Sequence, residues 1–264
     1  MRWRFWTLAL LFGLAALWLP RTSDAGKDPP VRVLLVLGSG PPHDIRKLAP
    51  ILDKLLEDVG GMTVTHLEPP KDKSPSDPTH LKKLAELKRA DYDVLVFYTV
   101  GHKLDDVQER ALEKFVEDGG GIVALHGASA SFGNSQVWLR LVGARFAGHY
   151  KSLHKLNVVI ADPKHPITAG VEPFTITDEE YNHNFAKVER HVLASFRERP
   201  EGSKGKNNDI MWTREVGKGR VVYNALGHGK DAWENPAWQK LTVQSIFWAA
   251  GRPRSVKLPG GSAK

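Results

Sequence analysis

The sequence predicts an α/β protein built on an open, mostly parallel sheet, doubly wound with helices on both faces. Three observations predict it. Runs of uninterrupted apolar residues recur at Val31–Leu37, Val94–Tyr98 and Ile122–Leu125, the pattern of strands buried on both faces. Amphipathic helical stretches alternate with them. Short glycine-rich joints, Gly38-Ser39-Gly40, Gly60-Gly61 and Gly119-Gly120-Gly121, separate the two kinds of element, as a strand–helix–strand architecture requires.

The first 25 residues of the 264 read as a processing segment rather than as part of the fold. Arg2 and Arg4 precede an apolar run from Phe5 to Leu19, and Ser23-Asp24-Ala25 offers small residues for cleavage after Ala25. A run of that length fits a signal peptide better than a spanning helix, which needs about 20 apolar residues. The expectation is an exported chain without stable membrane insertion, with a signal peptide at 1–25, one α/β domain at 26–251 and a disordered polar tail at 252–264.

Within the domain, Val31–Leu37 is the first strand. Leu48, Ile51, Leu52, Leu55, Leu56 and Val59 mark the first helix, with Pro50 expected in its first turn, where a missing N–H does no harm. Met62–Leu67 is a second strand, and Pro69–Pro78 a surface loop. A short helix is expected at Thr79–Arg89 before strand Val94–Tyr98. Asp105 and Gln108 form a capping box for a helix whose apolar face would carry Val107, Ala111, Leu112, Phe115 and Val116. After strand Ile122–Leu125 the pattern is less regular. Leu156–Ala161 and Val192–Phe196 read as strands. Ile210–Arg214 and Arg220–Ala225 flank Gly217-Lys218-Gly219 as an antiparallel hairpin, and a helix from Pro236 to Ala249 closes the domain.

The formal charge of +7 falls to +5 without residues 1–25. The basic residues are dispersed, a solvated surface rather than a nucleic-acid footprint. The chain has no cysteine, which excludes a thiol nucleophile, Cys-ligated zinc and an iron–sulfur centre.

Ligands bind beyond the carboxyl ends of strands in open α/β sheets. Three strands deliver a histidine there: His43, His102 and His126. His126 stands where a strand turns directly into a helix, the placement of a nucleophile elbow, and suits a general base or metal ligand. A helix-capping residue is the plain alternative. His66, His80, His154 and His191 read as surface or structural residues, and His183 as a neighbour of any acidic site at 178–181.

At this point the chain resembles a known family. Gly120–Gly127, Gly143–His149, Asp162–Thr168, Asp178-Glu179-Glu180-Tyr181, Gly217–Val221, Leu226-Gly227-His228-Gly229 and Trp233 look like the motifs of the trehalose-utilisation (ThuA-like) family, in its order. The resemblance implies a flavodoxin-like, class I glutamine-amidotransferase-like fold with histidine where the amidotransferases carry cysteine. It also implies a role in carbohydrate metabolism. Glutamine hydrolysis by a Cys–His pair is excluded.

The expected function is therefore an exported enzyme acting on a sugar or keto-sugar derivative by hydrolysis, elimination or isomerisation. His126, His228 and Glu179 would be catalytic. His43, His102, Tyr181 and Trp233 would contact substrate. Convergence of His126, His149 and His228 near Asp178 or Glu179 would suit zinc or another divalent first-row metal; no nucleotide cofactor is expected. Trp238 and Trp248 read as core, and His165 as a turn residue with a functional alternative. The rival expectation is a non-catalytic carbohydrate-binding or accessory module on the same fold.

Overall fold

A computed structural model describes residues 28–39, 43–151 and 153–258. The expected signal peptide at 1–25 lies outside them, as does the end of the expected tail. No helix among the described residues is long and apolar enough to cross a membrane.

The elements follow in chain order. β1 (Val31–Gly38), α1 (Ile45–Val59), β2 (Met62–Leu67), β3 (Val94–Thr99), α2 (Asp106–Glu117) and β4 (Gly121–Leu125) form the first half. α3 (Gln136–Val142), β5 (Ala144–His149), β6 (His154–Ile160), β7 (Phe174–Asp178), β8 (Tyr181–Phe185) and β9 (His191–Phe196) follow. β10 (Asp209–Val216), β11 (Gly219–Asn224), α4 (Lys230–Trp233) and α5 (Pro236–Ala249) complete the domain. Residues 79–86 and 126–130 form 3₁₀ turns.

Nine strands make one sheet in the order β2-β1-β3-β4-β11-β10-β9-β6-β7. β2, β1, β3, β4 and β11 run parallel. Every residue of β3 and β4 is buried, which explains their unbroken hydrophobicity. The α/β expectation holds, with a parallel sheet core. From β11 outward the pairing is antiparallel, so the predicted hairpin is only the start of a four-strand extension. β5 and β8 pair separately. α1, α4 and α5 cover one face, and the 79–86 turn, α2 and α3 the other.

Asp44 caps α1 by accepting from the Arg46 N–H. The helix thus begins at Ile45, and Pro50 lies inside it rather than in its first turn; its ring removes the bond that would reach the Arg46 carbonyl. The α2 capping box forms as expected, with Asp105 accepting from the Val107 and Gln108 N–H groups and Gln108 Oε1 accepting from the Asp105 N–H. Val107 does not join the apolar face; it is half exposed. Phe97, Phe132 and Trp138 pack edge to face beneath α2 and α3, each such pair adding about 0.5–1.5 kcal/mol beyond its buried area.

Within the expected tail, residues 252–258 are described and lie against the domain. The Arg254 guanidinium lies 3.7 Å from the Phe247 ring centre, and Val256 is buried with its N–H on Gln244 Oε1. The remainder lies outside the described residues.

Candidate metal and active centre

His126 follows β4 directly, with φ +43°, a left-handed conformation that a side chain with a Cβ rarely adopts. The next residue has to be small: a Cβ on Gly127 would lie 2.3 Å from Val100 Cγ2. The strained turn is fastened by the Tyr223 hydroxyl, which donates to the His126 carbonyl at 3.0 Å and also meets Ser129 Oγ and His183 Nε2. The His126 ring is fully buried. Its Nδ1 lies 2.7 Å from the Ala225 carbonyl. A carbonyl only accepts, so Nδ1 donates and the ring turns its Nε2 inward.

That Nε2 faces His43 Nε2 at 3.1 Å and Glu179 Oε2 at 3.5 Å. His228 Nδ1 lies 3.0 Å from the same Glu179 oxygen. It is nevertheless out of line for donation, so this buried nitrogen makes no hydrogen bond. One donor atom from each of His43, His126, Glu179 and His228 lies within 4.8 Å of all the others. His43 comes from the start of α1, Glu179 from the β7–β8 corner, and His228 from the loop after β11.

Electrostatics separate the members. Burial, then the neighbouring His126 and His228, push the His43 pKa down to about 3. Burial acts to raise Glu179, but His126 and His228 outweigh it and hold the carboxyl below the usual range. Burial also opposes protonation of His228, and Glu179 reverses it, raising that imidazole. Among the described residues, the ion pairs of Glu179 are with histidines: His126, His228 and His149. Next to it, the wholly buried Asp178 accepts three backbone N–H bonds, from Glu179, Gly227 and His228.

The arrangement redistributes the expected site residues. His126, His228 and Glu179 come together. His43 joins them as a potential donor rather than lying outside as a substrate contact. His149 stands at the rim: its side chain is 40% exposed and its Nδ1 is 3.7 Å from Glu179 Oε1, beyond bonding reach. The compact group is His43, His126, Glu179 and His228, with His149 of the expected trio outside it. His102 turns away to the Gly38 carbonyl, beside His80 on the Leu37 carbonyl. Tyr181 is 3% exposed, its ring covered by His126 and Phe146, so it supports the imidazole rather than offering a face to substrate. Trp233 has no exposed surface and donates to the Gly227 carbonyl; it packs the His228 loop from behind.

Sequence reasoning missed Tyr98 and the Ala225 carbonyl. Tyr98 donates to the Gly227 and His228 carbonyls. Each reads as an ordinary strand residue, and only the fold reveals what it faces.

The ThuA family, described as "Trehalose utilisation", matches residues 32–249. No curated protein matches the chain. Among solved structures, a ThuA-like protein from Parabacteroides merdae ATCC 43184 is similar at 19% identity and TM-score 0.74, over 88% of this chain and 94% of that one. A ThuA-like protein from Bacteroides uniformis ATCC 8492 is similar at 18% identity and TM-score 0.65, over 86% and 94%. A β-galactosidase from Bacillus circulans sp. alkalophilus shares the fold over 84% of this chain but 32% of its own, at 14% identity and TM-score 0.54. The chain belongs to the ThuA, trehalose-utilisation, family.

Proposed function

We propose that this protein is an exported enzyme acting on a sugar or keto-sugar derivative through a divalent metal ion, zinc being the best fit, held by His43, His126, Glu179 and His228. The observation that carries the reading is convergence of electron-pair donors. Nε2 of His126 and Nδ1 of His228, the latter without a hydrogen bond, both face the Glu179 carboxylate, at 3.5 and 3.0 Å. Buried lone pairs arranged so are costly unless a proton or a cation sits among them. Tetrahedral zinc bonds of 2.0–2.1 Å set ligand atoms about 3.3 Å apart; three of the pairs stand at 3.0, 3.1 and 3.5 Å, within a group that spreads to 4.8 Å. His126 has the outer partner a metal-bound imidazole needs, the Ala225 carbonyl on its other nitrogen.

A metal ion there would act as a Lewis acid on a carbonyl or hydroxyl oxygen. The chain's own residues then divide the remaining work. Tyr181 and Phe146 exclude water on one side of the His126 ring. His149, on the open side against Glu179, is placed to exchange a proton with a bound sugar. Membership of a trehalose-utilisation family supports a carbohydrate as the substrate class, and the charged n-region and apolar run before Ala25 support export.

Metal analysis of tag-free protein tests the reading. Stoichiometric zinc in the wild type, lost in His126→Ala and His228→Ala, together with turnover of a member of a glycoside and keto-glycoside panel, is expected. Metal-free wild type that takes up no added zinc would overturn the metal centre. Zinc without turnover would instead favour the accessory module.

A further inference from the structure

We propose that Asp178 is the positioning residue of the centre, a carboxylate that locks Glu179 and His228 into one geometry; the inference rests on the metal reading above. Glu179 follows β7, the outermost strand, and His228 follows β11, near the middle of the sheet. β10, β9 and β6 lie between, so no backbone ladder couples the two. The Asp178 side chain makes the connection instead. Its Oδ1 accepts from the Glu179 N–H at 2.8 Å and the His228 N–H at 3.0 Å, and its Oδ2 from the Gly227 N–H at 2.6 Å.

The loop that carries His228 is otherwise irregular, and Gly227 has φ +128°, open to glycine and unfavourable to other residues. Its carbonyls are held from the opposite side by the Tyr98 hydroxyl and the Trp233 indole N–H. Asp178 bonds the backbone of both donor-bearing segments. All three hydrogen bonds to Asp178 come from N–H groups, so an acceptor-only side chain is required. Asparagine has the same shape but must turn an N–H toward another N–H. Charge-assisted bonds of this kind are stronger than neutral ones, and buried outer partners of a metal site fix the angle of its ligands.

Cobalt(II) titration of Asp178→Asn tests the proposal, read by visible absorption and by competition with a chromophoric chelator. The expected result is folded protein with about 10–100-fold weaker cobalt binding and a changed absorption envelope. Asp93→Asn is the control. That buried acid, paired with Arg32 and Arg89 just before β3, should cost stability and leave cobalt binding as in the wild type. Should Asp178→Asn not fold, hydrogen exchange of the wild type decides: added zinc is expected to slow the Glu179, Gly227 and His228 amides together. Unchanged cobalt affinity and spectrum in folded Asp178→Asn, or zinc-insensitive exchange at those amides, overturns Asp178 alone. A wild type that binds neither ion overturns the metal reading and this inference with it.

Discussion

Two of the histidine groups among the described residues differ in what their nitrogens face. His43, His126 and His228 are turned toward one another and toward Glu179. His165 and His191 stack 5.7 Å apart beside Trp248, and their contacts are those of an ordinary surface. His165 Nδ1 accepts from the Ile167 N–H, and His191 Nε2 meets Asp162 at 2.9 Å. The second group closes a turn. Asp162 accepts from the Lys164 N–H, and Thr168 Oγ1 donates to the His165 carbonyl. His126 and His228 of the first group and His165 of the second lie in motifs that resemble the family's, so family motifs alone do not separate chemistry from architecture. Partners do.

The sharpest way to break this contrast is at Glu179. Glu179→Gln keeps the shape and removes the charge from the first group. Zinc affinity should fall by more than the ~100-fold that loss of an outer partner costs, as read by chelator competition. Retention of wild-type affinity would make the convergence accidental.

A second contrast concerns pH. His183 is buried against Tyr223 and Trp212, and burial above all pushes its pKa down to about 3. The unfolded chain binds a proton near the ordinary imidazole value of 6.5 while the folded one does not. The stability due to this group is therefore complete above pH 6.5 and lost as pH falls from 6.5 toward 3. The slope approaches about 1.4 kcal/mol per pH unit. Denaturant unfolding of His183→Phe at pH 7, 5.5 and 4.5 should show an acid-side slope shallower by one proton, and an unaltered slope would count against neutral burial.

The smallest effect belongs to the second group. His191→Gln should leave zinc affinity unchanged and shift stability by less than about 1 kcal/mol, the range of an exposed ion pair. A large loss of zinc there would show the two groups to be coupled.

Most of the sheet core was legible because its signals are local. Unbroken apolar runs mark β1, β3 and β4, Asp105 and Gln108 mark the start of α2, and Gly217-Lys218-Gly219 marks the β10–β11 turn. The antiparallel outer strands were harder to place, since β6 and β7 alternate buried and exposed residues and nothing local states which strand they join. Pro50 misled because the cap is Asp44, whose side chain closes the first turn before proline is reached. At the site, strand-tip logic found His43 and His126. That His43 rather than His149 joins the compact group, and that Tyr181 and Trp233 are buried, has one reason: burial and facing direction are set by packing between segments remote in the chain. Trp233 next to a glycine-flanked histidine reads like a ligand platform, yet Tyr98 and Trp238 cover it.

The donors at positions 43, 126, 179 and 228 span most of the folded chain, so no two of them are neighbours in sequence. A cation seated among them would act as a rivet through both halves of the sheet, able to bind only after the whole topology has formed. At a hundredfold excess over its dissociation constant it would add about 2.7 kcal/mol to global stability. Chelation would then lower the melting temperature of the entire domain in a single transition, with no separate early loosening of one loop.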